Sequence, residues 1–166
     1  MKKLEIERKF LLKSLPSIPP TDSIKIEQFY LKKGRIWERV RSWVPLNGDI
    51  KYIHTIKKSI SKGVCMEDEN IISQEDFLGF KLECLSTGSE SRSINKTRHI
   101  FPSSDGLYWE VDEFHNGYKL IVAEIEIPKK TYKINIPEFM SDLILMEVTG
   151  IKNFSNRNLS LEIINI

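Results

Sequence analysis

The sequence predicts a mainly β, antiparallel fold of the α+β class, a barrel or a sandwich with a few helices packed outside it. Three observations carry this. Most segments alternate apolar and polar residues with period two, only three stretches have helical character, and turn dipeptides such as Asn116-Gly117 recur at short intervals. A length of 166 residues suits one domain, 1–166, with one core and one site.

The first strand is expected over 4–12, where Leu4, Ile6 and Phe10 share a face. The stretch SLPSIPP, 14–20, is a proline-rich crossing. Strands follow near 25–31 and 35–45, and Asn47-Gly48-Asp49 turns the chain into strands near 50–58 and 65–72. QEDFLGFKLECL, 74–85, reads as a helix with Ser73 as its N-cap. Strands near 92–101, 106–115 and 119–127 are parted by Asp105-Gly106 and by Asn116-Gly117. EFMSDLIL, 138–145, reads as a second helix, 146–149 as a short strand, and 154–163 as a third helix capped by Ser155.

Composition narrows the function. Twenty-five Lys and Arg against 23 Asp and Glu leave a formal +2, too weak a field for non-specific nucleic-acid or anionic-membrane binding. With 40% hydrophobic residues the chain has the material for a core, so disorder is excluded. Cys65 and Cys84 lack a C-x-x-C spacing and zinc-like histidine partners, and two isolated thiols suit a reducing compartment, so a cytoplasmic location is expected. Glu5, Glu7, Arg8 and Lys9 interrupt any apolar stretch after Met-Lys-Lys. No run approaches the ~20 apolar residues of a membrane span, so neither a leader nor a membrane partner is expected.

The strand faces hold the stronger signal. Glu5, Glu7 and Lys9 lie on one face of the first strand, about 7 Å apart. The same alternation gives Arg39 with Arg41, Thr55 with Lys57, Glu67 with Glu69 and Lys96 with Arg98, then Glu110 with Asp112, Glu124 with Glu126, and Glu147. Any one pair suits the wet side of a surface strand. Together they differ, because the opposite faces (Val40; Trp109 and Val111; Ile121, Ala123 and Ile125) are consistently apolar and need covering. If helices cover those faces from outside, the charged faces converge on one lumen with nine carboxylates and six bases. Burying unpaired ions costs several kcal/mol each, so such a lumen implies a highly charged ligand. Adjacent glutamates call for a hard divalent cation, Mg²⁺ or Mn²⁺, and converging Arg and Lys groups suit a polyphosphate.

At these residues the sequence resembles the CYTH, or triphosphate tunnel metalloenzyme, superfamily. Its E-x-E-x-K opening matches Glu5, Glu7 and Lys9, and its Q-x-Y-L element matches Gln28, Tyr30 and Leu31. The R-x-R, T-x-K and K-x-R strands match Arg39 and Arg41, Thr55 and Lys57, and Lys96 and Arg98; WEVDEF, VAEIEI, EVTG and FSNRNL resemble the short bacterial tripolyphosphatase-like members. Val64-Cys65-Met66 and Asn153 stand where the family often has an Arg. The resemblance implies an eight-stranded antiparallel barrel forming a charged tunnel, with Mg²⁺ or Mn²⁺ and a triphosphate inside.

On that footing the expected function is hydrolysis of a triphosphate, inorganic tripolyphosphate first, to pyrophosphate and phosphate. The expected metal ligands are Glu5, Glu7, Glu124 and Glu126, with Asp112 and Glu67 or Glu69 at a second ion. Lys9, Arg39, Arg41, Lys57, Lys96 and Arg98 would grip the phosphates, Lys9 also tuning the carboxylates. His54, His99 and His115 carry no assigned chemistry, and Trp37 and Trp43, on the face of Arg39 and Arg41, would close the tunnel mouth or stack on a nucleoside. Within the same tunnel the alternatives are an adenylate cyclase of class IV type and a thiamine or nucleoside triphosphatase. Outside catalysis the alternative is a polyphosphate-binding protein, which the paired acids disfavour, and they place a nucleic-acid-binding barrel last. A small-molecule triphosphate is the expected partner, and a homodimer is open.

Overall fold

The structure, a computed structural model, describes residues 1–87, 93–117 and 119–162, with the side chains of 161 and 162 left aside. Nine strands form one antiparallel sheet: β1 (Lys2–Leu12), β2 (Asp22–Lys33), β3 (Ile36–Pro45), β4 (Lys51–Ser61), β5 (Val64–Ile72), β6 (Ser93–Pro102), β7 (Tyr108–Phe114), β8 (Leu120–Glu126) and β9 (Ile144–Glu147). The order β5-β4-β3-β2-β6-β7-β8-β1 closes on itself where β1 pairs with β5, giving an eight-stranded barrel. Position 92 of the sixth expected strand and position 163 of the last expected helix lie outside the described residues.

Closure leaves half of one strand edge open. Lys2 to Ile6 of β1 face β5, but β5 starts at Val64, so the β1 backbone beyond Ile6 needs another partner. The extra strand β9 supplies it, with Phe10 opposite Glu147 and Leu12 opposite Ile144. This explains a departure from the sequence reading. The helix expected over 138–145 stops as a single turn, α2 (Glu138–Ser141), and the strand expected over 146–149 begins at Ile144.

Two glycines fix the seam. The turn between β4 and β5 brings Gly63, φ +70°, so close to β1 that a Cβ would meet the Glu7 carbonyl oxygen at 2.7 Å and Thr149 Cγ2 at 2.8 Å. Gly150, also at φ +70°, leaves no room for a Cβ beside Lys62. Only glycine takes both this backbone and this contact without displacement.

The apolar faces point outward. Phe10, Trp109, Val111, Ala123 and Ile125 form a cluster with Met140 of α2. The helix α1 (Gln74–Ser86) starts where Ser73 Oγ accepts from Asp76 N at 3.0 Å and lays Phe77 and Cys84 over Phe29, Leu31 and Val40. The third helix, α3 (Asn156–Glu162), follows a 3₁₀ turn at Lys152–Phe154, with Asn158 N donating to Ser155 Oγ at 3.2 Å. It packs elsewhere: Leu159 meets Tyr30, Ile94, Phe114 and Val122, with Trp37 and Leu120 against them. Tyr30, Ile94, Phe114 and Val122 belong to the inward faces of β2, β6, β7 and β8, so α3 plugs one end of the barrel. Among the described residues no helix is long and apolar enough to cross a membrane.

Candidate active site within the barrel

The register places the alternating charges on one surface. Lys9 lies opposite Glu124, Glu124 opposite Glu110, Asp112 opposite Arg98, Arg39 opposite Thr55, Thr55 opposite Glu69, and Lys57 opposite Glu67. Antiparallel partners point to the same side, so all six expected bases and eight of the nine carboxylates face the lumen, a formal −2. Glu147 does not. It lies outside, paired through both oxygens with Arg8 at 2.8 and 2.9 Å and accepting from Thr149 Oγ at 2.8 Å, because β9 sets it beside the outward Phe10.

Two groups of ions divide the lumen. In the first, Asp112 is fully buried and accepts from Lys96 Nζ at 2.6 Å, Arg98 Nε at 2.7 Å and Arg98 Nη2 at 2.8 Å. Arg98 also pairs with Glu110 and, at 3.4 Å, with Glu124, whose other oxygen lies 2.9 Å from Lys9 Nζ. In the second, Lys57 pairs with Glu5 and stands 3.9 Å from both Glu7 and Glu67. Arg41 donates to Glu69 at 2.6 Å, and Arg39 lies 3.8 Å from Glu67. Glu126 sits at the open mouth with Lys3 at 3.1 Å.

Burial and pairing decide each protonation. Burial pushes Glu124 up, but Lys9, Arg98 and Lys96 outweigh it and hold the carboxyl well below its usual range. Asp112 is lowered likewise, burial being overcome by Arg98 and Lys96. Glu7 goes the other way: burial and Glu124 raise it against Lys57 and Lys9. Burial and Glu5 raise Glu67. Burial takes Lys96 down to about 8 in spite of Asp112, and takes Arg41, beside Arg39, to about 10. The lumen thus holds both over-satisfied and under-satisfied carboxylates, and Glu7 and Glu67 are the under-satisfied pair.

Several donors have no acceptor. The Nε atoms of Arg39 and Arg41 are buried without a hydrogen-bond partner, as is the Gln28 Oε1, while Gln28 Nε2 donates to the Tyr30 hydroxyl at 3.0 Å. Inward-facing Gln28 and Tyr30 carried no role in the sequence reading, although their spacing of two beside the Arg39 and Arg41 row was its available signal. Leu159 was also missed, since a lone leucine in a short helix gives no sign that it enters a barrel end. His54, His99 and His115 bond Glu38, Ser23 with Glu113, and Thr97 respectively, all on the outer face. Trp37 joins the plug, with Arg157 5.3 Å from its ring centroid, and Trp43 lies toward the other end.

A divalent cation fits the chemistry of this donor set, which offers only hard carboxylate oxygens beside an under-satisfied Glu7. Among the described residues no three carboxylate, histidine or cysteine groups are assembled closely enough to hold an ion. The ion pairs give the reason: Lys57, Lys9, Arg98 and Arg41 hold those carboxylates apart.

No protein-family model and no curated protein matches the chain. Solved structures do. The inorganic triphosphatase NE1496 is 28% identical, the match covering 95% of this chain and 94% of that one with a TM-score of 0.61. PH1819 of Pyrococcus horikoshii is 21% identical over 76% of this chain and 80% of its own, with a TM-score of 0.56. The Hippeastrum protein HpAC1, a proposed adenylyl cyclase with a dominant triphosphatase activity, is 16% identical over 75% and 80%, with a TM-score of 0.54. At these two lower identities the likeness is one of fold.

Proposed function

We infer that this chain is a member of the CYTH, or triphosphate tunnel metalloenzyme, superfamily, and that it hydrolyses a triphosphate, inorganic tripolyphosphate foremost, inside its barrel with a divalent cation, Mg²⁺ or Mn²⁺. The observation that carries the reading is the convergence of Lys9, Arg39, Arg41, Lys57, Lys96 and Arg98 on one lumen, with two arginine Nε donors unpartnered. The similarity to an inorganic triphosphatase over 95% of the chain supports it.

The ion pairs suggest how binding works. A triphosphate alone would draw the bases away and leave carboxylates buried without partners, and a cation alone would strand the bases. Arriving together, phosphate oxygens satisfy the bases while the cation satisfies the carboxylates, so the two ligands bind cooperatively. Glu5, Glu7, Glu67 and Glu124 would hold the cation, since they are within electrostatic reach of one another, and Glu126 would extend the set toward the mouth. Bound there, it supplies positive charge where the phosphoryl oxygens become more negative and a site for the attacking water. Asp112 and Glu69, expected at a second ion, act instead as counter-ions that orient Lys96 with Arg98, and Arg41.

Arg39 and Arg41, about 7 Å apart along one strand face, and Lys96 with Arg98 across the lumen fix the chain for in-line attack at the terminal phosphorus. Burial excludes competing water and strengthens each charge-assisted contact. The test is phosphate release from tripolyphosphate with Mg²⁺ or Mn²⁺. Pyrophosphate and phosphate are expected in equal amounts, chelation should stop the reaction, and Glu7→Ala proceeding at the wild-type rate would refute the site.

A further inference from the structure

We propose that the open mouth of the barrel carries a stacking subsite for a planar aromatic group, so that the tunnel accepts a nucleoside triphosphate with its base on Trp43 and its phosphates within. The inference rests on the triphosphatase reading and adds which triphosphate esters fit.

The plug gives the tunnel a direction. Leu159, Trp37, Leu120 and Phe114 fill one end, so a substituent on a triphosphate must lie at the other. There the inward face changes character on five adjacent strands. Ile100 on β6, Ile24 and Ile26 on β2, Trp43 on β3, Ile53 on β4 and Ile71 on β5 replace the ions found deeper. The register puts them on the lumen side: Ile26 lies opposite both Trp43 and Lys96, Ile53 opposite both Arg41 and Ile71, and Ile100 opposite Glu110.

This crescent is not spent on the core. Ile71 is 68% exposed although it shares the face of Glu67 and Glu69, and Trp43 and Ile100 are only half-buried. An inorganic anion gains nothing from such a surface, whereas an aromatic ring gains both stacking and burial. The crescent is continuous with the phosphate-binding row. Arg39, Arg41 and Trp43 follow one another about 7 Å apart. The Arg41 guanidinium carbon lies 5.6 Å from the Trp43 ring centroid, so one arginine borders both parts of the ligand. The other half of the mouth, with Glu110, Glu126 and Lys3, is ionic and offers acceptors to ribose hydroxyls. In this orientation the terminal phosphate lies deepest. Water adds to its phosphorus, the bridging P–O bond breaks, and the bridging oxygen leaves on the nucleoside diphosphate with the bonding electron pair. The released proton passes to solvent.

The probes are ATP and tripolyphosphate with a divalent cation, read as the ratio of their kcat/KM values and as ATP affinity by calorimetry. Trp43→Ala should lower the ratio and the ATP affinity about tenfold, within the range of base–aromatic stacking. Trp43→Phe should restore both, and Ile71→Ser, at an exposed position on which folding does not depend, should lower both by less. An unchanged ratio with unchanged affinity, or a wild-type protein that does not bind ATP, overturns the subsite. So does a change in sedimenting mass in Trp43→Ala or Ile71→Ser, which would assign the patch to contact between copies. If neither compound is hydrolysed but Trp43→Ala still weakens ATP binding, the subsite stands and the hydrolytic reading falls.

Discussion

Replacing Asp112 with Asn keeps the shape of the side chain and removes the charge that Lys96 and Arg98 share. All three groups are buried, with contacts of 2.6, 2.7 and 2.8 Å, so solvent cannot stand in for the lost carboxylate. Removing one member of a buried ion pair costs about 3–5 kcal/mol. At about 2–4 °C per kcal/mol for a chain of this size, the melting temperature should fall by roughly 6–20 °C. The assay is a thermal melt by circular dichroism with and without tripolyphosphate. Because the stranded cations then lack an anion, added tripolyphosphate should raise the melting temperature of the variant more than that of the wild type. A fall below about 3 °C, or equal stabilisation of both proteins by the anion, would refute the view that Asp112 serves as counter-ion to phosphate-binding groups.

Glu7→Gln should behave oppositely. Burial and Glu124 already disfavour its charge, so the ligand-free variant should melt no lower than wild type, while tripolyphosphate hydrolysis falls by at least about a hundredfold. Leu159→Ala removes the centre of the plug and should cost about 2–5 kcal/mol in a denaturant titration. Glu147→Gln should cost only about 0.5 kcal/mol near neutral pH, since its pair with Arg8 is largely solvated. Hydrogen bonding to Arg8 lowers the Glu147 pKa, so the contribution is present above the ordinary carboxylate range and lost as pH falls through the lowered value. The wild-type and variant stabilities should therefore converge in acid.

The fold was legible wherever period two met a turn signal. Glu5, Glu7 and Lys9 against Leu4, Ile6 and Phe10 identify both faces of β1, and Asn116-Gly117 and Asp105-Gly106 mark hairpins that the structure contains. What failed depended on long-range closure. EFMSDLIL has a helical pattern, yet its last residues complete the β1 edge that β5 leaves open, and no local signal encodes that vacancy. Glu147 misled for the same reason: on a four-residue strand its face is set by the register with Phe10, not by alternation. Within the site the sequence marked which charges share a lumen, but not which pair. That Asp112 serves two bases while Glu7 has no partner nearer than 3.9 Å follows only from the stagger of the strands.

The most direct measurement is a crystal structure of the protein with Mn²⁺ and tripolyphosphate, read by anomalous scattering. The account predicts a manganese peak inside the barrel within bonding distance of Glu7 and at least one of Glu5, Glu67 and Glu124. It also predicts phosphate oxygens on Arg39 and Arg41 and a Lys57 released from Glu5. Manganese and triphosphate bound outside the barrel, or a lumen whose ion pairs persist unchanged beside them, would contradict it.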